Sequence, residues 1–212
     1  MATATGGWRE ARRQSARDAI VDVAWQLVHE EGLGSLSLRE LAKRAGVTTP
    51  TIYAYFESKH AIYDAMFGKA AGDFADRMTE PYGADEGRAL LVASVRRFVQ
   101  FCTTEPARYQ LLFQRTIPGF EPSPESFAPA VRALDASRRC LAANGVVEPR
   151  HVDLWTAITT GLVDQQIAND PGGTRWSSLV DELVDMFLAH CRTAPPAAPG
   201  QPTRRRGRGH QG

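Results

Sequence analysis

The sequence predicts an all-α fold, and three observations carry that expectation. Apolar residues recur at three- and four-residue steps through most of the chain from Ser15 to about residue 191, the period of a helix that buries one stripe. Serine or threonine caps and glycine ends bracket the periodic segments. No apolar–polar alternation of useful length marks a strand.

Each element follows from local chemistry. Ile20, Val23, Ala24, Leu27 and Val28 place one apolar stripe on a first helix over 15–31, which Gly32 can end in a left-handed cap. In Ser37-Leu38-Arg39-Glu40, serine is followed three residues later by glutamate, the spacing of a reciprocal capping box. A short second helix to Ala45 then turns Leu38, Leu41, Ala42 and Ala45 inward, and Gly46 stops it. Thr48-Thr49-Pro50-Thr51 supplies a threonine cap and a proline in the first turn, so a third helix is expected over Thr49 to Phe56. Ser58 can cap a fourth helix that carries Ile62, Ala65, Met66 and Phe67 on one side. Longer helices are expected over 86–103, 106–116, 124–143, 149–168 and 176–191, with loops at 117–124 and 169–174. The tail 194–212 is Pro, Gly and Arg with little apolar content, and is expected to be disordered.

Composition excludes several classes. With 212 residues, 43% apolar and 23% charged, the chain can bury a sizeable core and is neither collagen-like nor disulfide-dense. No apolar run reaches the roughly 18–20 residues of a spanning helix, and the N-terminus has no apolar export signal, so neither a membrane nor a secreted protein is expected. Cys102, Cys140 and Cys191 lie far apart without a CxxC pair, which fits a reducing cytosol. There is no GxSxG, Walker loop, HExxH or dinucleotide glycine fingerprint. The histidines are scattered, and the adjacent His190 and Cys191 point in different directions on a helix, so no enzyme activity, metal or cofactor is expected. The net charge of +1 conceals segments of opposite sign: residues 61–193 carry an excess of acidic groups, whereas the tail is purely basic. Arginine richness by itself is no phosphate-binding signal here.

Three helices in about 45 residues, the last two separated by a turn holding Gly46, have helix-turn-helix spacing. The stretch Leu36 to Lys59 (LSLRELAKRAGVTTPTIYAYFESK) resembles the tetracycline-repressor (TetR) family of bacterial transcriptional regulators. An Ala-Gly-Val turn, a threonine before an aliphatic-tyrosine pair, Phe56 and Lys59 carry the likeness, which covers residues 15–67. The resemblance implies a flexible arm over 1–14, a DNA-binding domain over 15–60, a helical regulatory and dimerisation domain over 61–193, and a disordered basic tail over 194–212. In that frame Ile52 and Phe56 are core. Thr48, Thr49, Thr51, Tyr53 and Tyr55 face DNA, Thr49 and Thr51 toward base edges and the tyrosines toward phosphate or sugar. Lys59 adds a cation where the helix dipole already favours phosphate. Arg39 either reaches a guanine edge or is a surface or intramolecular ion-pair residue, since Glu40 and Lys43 surround it. Arg9, Arg12, Arg13 and Arg17 form either a minor-groove arm or a solvated one, and Arg204, Arg205 and Arg206 either add salt-sensitive affinity or remain solvated.

The rest of the resemblance concerns the regulatory part. Arg108 to Phe113 (RYQLLF), Leu154-Trp155 and Gly161-Leu162 are similar to one regulatory-domain subgroup, although Thr160 stands where that subgroup often has histidine. The last two helices are then expected to pair with a second copy through Leu154, Ile158, Leu162, Leu179, Leu183 and Phe187, each of which could equally be intrachain core. Phe98, Phe101, Tyr109, Phe113 and Trp155 are the aromatic groups available for a small, mainly apolar effector. The implied partners are a palindromic double-stranded operator, a second copy of the chain and that effector. The rival reading is a helical protein-interaction scaffold without DNA binding.

Overall fold

A computed structural model describes residues 4–83 and 86–193, and those residues form nine α-helices and no strand. The helices are α1 (Ala4–Glu31), α2 (Leu38–Arg44), α3 (Thr49–Tyr55), α4 (Lys59–Thr79), α5 (Gly87–Thr104), α6 (Pro106–Phe113), α7 (Pro124–Ala142), α8 (Pro149–Asn169) and α9 (Val180–Thr193). Short 3-10 turns at Leu33–Ser35 and Ser177–Leu179 precede α2 and α9. The basic tail expected over 194–212 lies outside the described residues.

Two cores divide the chain. In the first, Ile20, Ala24, Leu27 and Val28 of α1 meet Leu41, Ala42, Ile52 and Phe56. Ile62, Met66, Phe67 and Ala70 of α4 close that core from below. In the second, Leu91, Val95 and Val99 of α5 pack with Trp155, Leu162 and Val163 of α8 and Val184 and Phe187 of α9. Helix α4 belongs to both halves, because its distal residues Phe74, Ala75 and Met78 join Ala133 of α7 in a smaller cluster between them. At roughly 1.5 Å per residue, 21 residues make α4 about 30 Å long.

The turn between α2 and α3 is fixed by backbone chemistry. Gly46 adopts φ +68°, its N–H donates to Lys43 O at 3.2 Å, and Val47 N–H donates to Ala42 O at 2.9 Å. This pair of bonds is the Schellman end, and it needs a left-handed residue that glycine adopts without strain. Thr48 then begins α3, its Oγ1 accepting from Thr51 N at 3.3 Å.

Four expectations are corrected. The arm expected over 1–14 is helical from Ala4, so α1 starts eleven residues early; no proline interrupts this stretch, and it continues the helix downstream. The capping box at Ser37 does not form: the Ser37 side chain makes no cap bond, and Glu40 pairs with Lys43 and Arg44 instead. Helix α6 ends at Phe113 rather than 116, with Gln114 already extended. The last helix begins at Val180, preceded by a 3-10 turn.

Candidate nucleic-acid interface and ligand cavity

Ile52 and Phe56 are almost fully buried, 0% and 1% exposed, so one side of α3 is committed to the first core. Tyr53, on the other side, is 52% exposed. Thr49 and Thr51 are half-buried, and Thr51 Oγ1 shares a hydrogen bond of 2.8 Å with Thr48 Oγ1. Thr48 is therefore first a helix cap. Tyr55 is half-buried against the first core, which leaves Tyr53 as the freest ring of the pair.

Arg39 is exposed and makes no ion pair among the described residues; Glu40 is instead taken by Lys43 and Arg44. The ion pair is set aside, and the exposed position fits a plain surface residue as well as a base contact. Lys59 opens α4, where Ser58 Oγ accepts from Ala61 N at 3.1 Å, and its Nζ lies 5.6 Å from the Tyr63 ring centre. Arg17 departs from the arm reading. Its guanidinium donates to the Tyr55 carbonyl at the end of α3 and lies 4.3 Å from the Phe56 ring centre. Arg17 thus ties α1 to α3, whereas Arg9, Arg12 and Arg13 remain exposed on the extension of α1.

A partly open cavity of about 140 Å³ lies where α4, α5, α6, α7 and α8 meet. Three of the five expected aromatic groups, Phe98, Phe113 and Trp155, line it. Phe101 does not; it packs on Phe74 at 5.0 Å. Tyr109 is 1% exposed and stands behind Phe113, stacked at 5.3 Å, with its hydroxyl donating to Asp164 Oδ1 at 2.8 Å. Burial and the Asp164 carboxylate together push the Tyr109 phenol well above its ordinary range, so it stays a neutral donor. Sequence reasoning missed Phe74, Met78, Leu112, Ala133 and Leu134, because apolar residues at helical spacing carry no ligand signal of their own.

The lining holds no charged side chain. Its polar groups are hydroxyls, and most are spent on their own helix: Ser94 donates to Leu91 O, Thr156 to Val152 O, Thr159 to Trp155 O and Thr160 to Thr156 O. Each keeps only acceptor capacity toward a guest. The site therefore suits apolar matter bearing at most one or two donors.

Between α8 and α9 runs an open apolar groove formed by Ile158, Gly161, Leu162, Leu179, Leu183 and Met186. Met186 is 62% exposed. Four of the six residues expected at a subunit interface line the groove. Leu154 instead packs against the second core, and Phe187 is sealed inside it, 1% exposed and 4.7 Å from the Trp155 ring centre. The strict spacing could not tell the buried from the outward residues of α9. Among the described residues no group of three metal-ligating side chains converges, the cysteines are free, and no helix is long and apolar enough to cross a membrane.

An exposed tyrosine-bearing helix held across a second by a glycine turn, joined to a larger helical body with an internal cavity, defines a two-part helix-turn-helix protein. Residues 20–66 match the model of the bacterial regulatory proteins, tetR family. A helix-turn-helix-type transcriptional regulator of Mycobacterium tuberculosis is 28% identical over 125 residues, 58% of this chain and 53% of the relative. The chain thus spans about half the length of that relative. The class A tetracycline repressor of Escherichia coli transposon 1721 is 28% identical over 184 residues, 80% of each chain. Among solved structures, a tetR-family transcriptional regulator from Streptomyces coelicolor superposes with a TM-score of 0.65 at 24% identity, covering 83% of this chain and 80% of the other. A TetR variant from Acinetobacter baumannii in complex with minocycline gives a TM-score of 0.56 at 21% identity, covering 82% and 94%. The chain is thus similar to the tetR family through residues 20–66, and it shares the fold of solved tetR-family regulators.

Proposed function

We propose that the protein is a dimeric, sequence-specific DNA-binding regulator of transcription, acting as a repressor, whose operator affinity is set by a small and mainly apolar effector. The observation that carries the DNA-binding reading is the exposure of Tyr53 on a helix whose opposite side is sealed, followed within six residues by Lys59 at a helix N-terminus. A phenol and an ammonium there make phosphate contacts that fix register, while Thr49 and Thr51 present short side chains to base edges. Because one such helix reads few base pairs, two copies related by a two-fold axis supply the remaining affinity and make the operator palindromic. The groove between α8 and α9 is the surface for that pairing, and the cavity above Trp155 is the effector site. The minocycline complex of the Acinetobacter relative supports a small-molecule guest in this fold.

The test is selection of duplexes from a random pool by the purified chain. Palindromic sites enrich, and Tyr53→Ala combined with Lys59→Ala abolishes retention while helicity is unchanged. Failure to enrich any sequence removes the reading. Retention also falls steeply as salt rises, which a hydrophobic scaffold interface would not do.

A further inference from the structure

Phe113 is the last residue of α6, and it is shared by two cavities. Inward it lines the partly open 140 Å³ chamber, meeting Phe74 and Phe98 edge-on at 5.4 and 5.5 Å with interplanar angles of 87° and 85°. Outward it faces a second chamber of about 340 Å³ beneath the loop that joins α6 to α7, where Phe67, Ile117, Phe120 and Phe127 form the walls. Leu112 is the other residue common to both. Leu112 and Phe113 are thus the side chains that stand between the two.

We propose that Phe113 is a gate between these chambers, and that the effector is an elongate apolar molecule threaded through it, its uncharged chain inside and its polar end at the outer mouth. The inference rests on the effector reading given above and names the class of guest. Three observations carry it. The inner chamber alone is the size that admits a single benzene-like ring, below the roughly 300–1,000 Å³ of ordinary ligand sites, whereas the joined pair falls within that range. Phe113 is held by ring contacts alone, edge-on to Phe74 and Phe98 and stacked on Tyr109, and is 39% exposed; the residue after it, Gln114, already leaves the helix, so its χ1 swing breaks no polar contact. The polar groups lie where the chain would emerge: Gln114 and the exposed pair Arg115 and Glu121, 3.5 Å apart, stand on the outer rim, while the inner lining has no charge.

The experiment uses the full chain and a homologous series of alkan-1-ols from hexanol to dodecanol, with binding followed by calorimetry. Each added methylene raises affinity about fourfold up to the longest members, the increment expected for complete burial of each methylene. Ile117→Trp fills the outer chamber without touching the inner one. In that variant affinity levels off at the short alcohols, whose binding is unchanged; Phe113→Ala instead keeps the full dependence and accelerates association. A plateau at short chains in the wild type, indifference of the series to Ile117→Trp, or no binding of any member overturns the proposal. Duplex retention measured on the same samples without alcohol reports the DNA-binding reading separately, so the two fail independently.

Discussion

Asp64 is a carboxylate that no sequence pattern singles out. From α4 it accepts from the backbone N–H of Ser123 at 2.6 Å, from Ser123 Oγ at 3.0 Å and from Ser126 Oγ at 2.8 Å, and so holds the first turn of α7. The cap at Ser123, followed by Pro124, was readable from local chemistry; its partner 59 residues upstream was not. Hydrogen bonds to an ionised group contribute about 1.5–3 kcal/mol each at most, and they are not additive. Asp64→Ala is therefore expected to lower stability by about 2–3 kcal/mol, seen as an earlier urea midpoint with unchanged slope. On α3 the same contrast holds. The core side, Ile52 and Phe56, and the projecting Tyr53 were legible from helical spacing, but Arg17 was not legible as a tie to α3, because its partner is a backbone carbonyl.

Among the elements, the link from α8 to α9 shows how a loop of Asn, Asp, Pro and Gly is given one shape. Gln166 is buried, 3% exposed, and its Oε1 accepts from Trp176 N at 3.0 Å and Ser177 N at 2.9 Å while Nε2 donates to Gly173 O at 3.1 Å. Gln166→Ala strands these buried groups and is expected to cost about 2 kcal/mol, read from chemical denaturation, with loosening of the link visible as faster amide exchange at Trp176 and Ser177. Asp170 completes the turn, and the Arg175 N–H and the Gln166 side chain hold its carboxyl below the usual carboxylate range. A depressed carboxyl stabilises the fold above its unfolded value, near 3.8, and that contribution disappears as pH falls through the lower folded value. The urea midpoint should drop on acidification below about pH 4, and the drop should be smaller in Asp170→Asn. Helix boundaries follow the same logic of local signals. Those set by a glycine end or a proline start, such as α2 at Gly46 and α8 at Pro149, agreed with the sequence; the start of α1 did not, because no sequence signal marks it.

At the scale of the molecule, the halves differ in what the sequence could reveal. The helix-turn-helix module is short, contiguous and dense in turn chemistry, so helical spacing located it. The cavity draws on five helices, and the groove depends on which side of α9 faces inward; both are products of tertiary packing that periodicity cannot resolve. The groove makes a whole-molecule prediction. Met186→Glu places a charge on the most exposed apolar residue of that surface and should convert a dimer to a monomer in sedimentation, with the helical content kept. Loss of the dimer should also reduce operator affinity far more than a single phosphate contact would, because the two half-sites then bind independently.

Helix α4 spans both halves of the molecule, with Lys59 at its first turn and Phe74 and Met78 in the wall of the inner chamber. In the proposed regulator, a helix with a span of about 30 Å would act as a lever whose short arm a guest moves. A tilt of a few degrees at the chamber carries the ammonium through more than an ångström, further than a charge-assisted bond to phosphate tolerates. In a two-fold pair the displacement is doubled, so the groove-to-groove spacing of the heads is the quantity such a lever would tune.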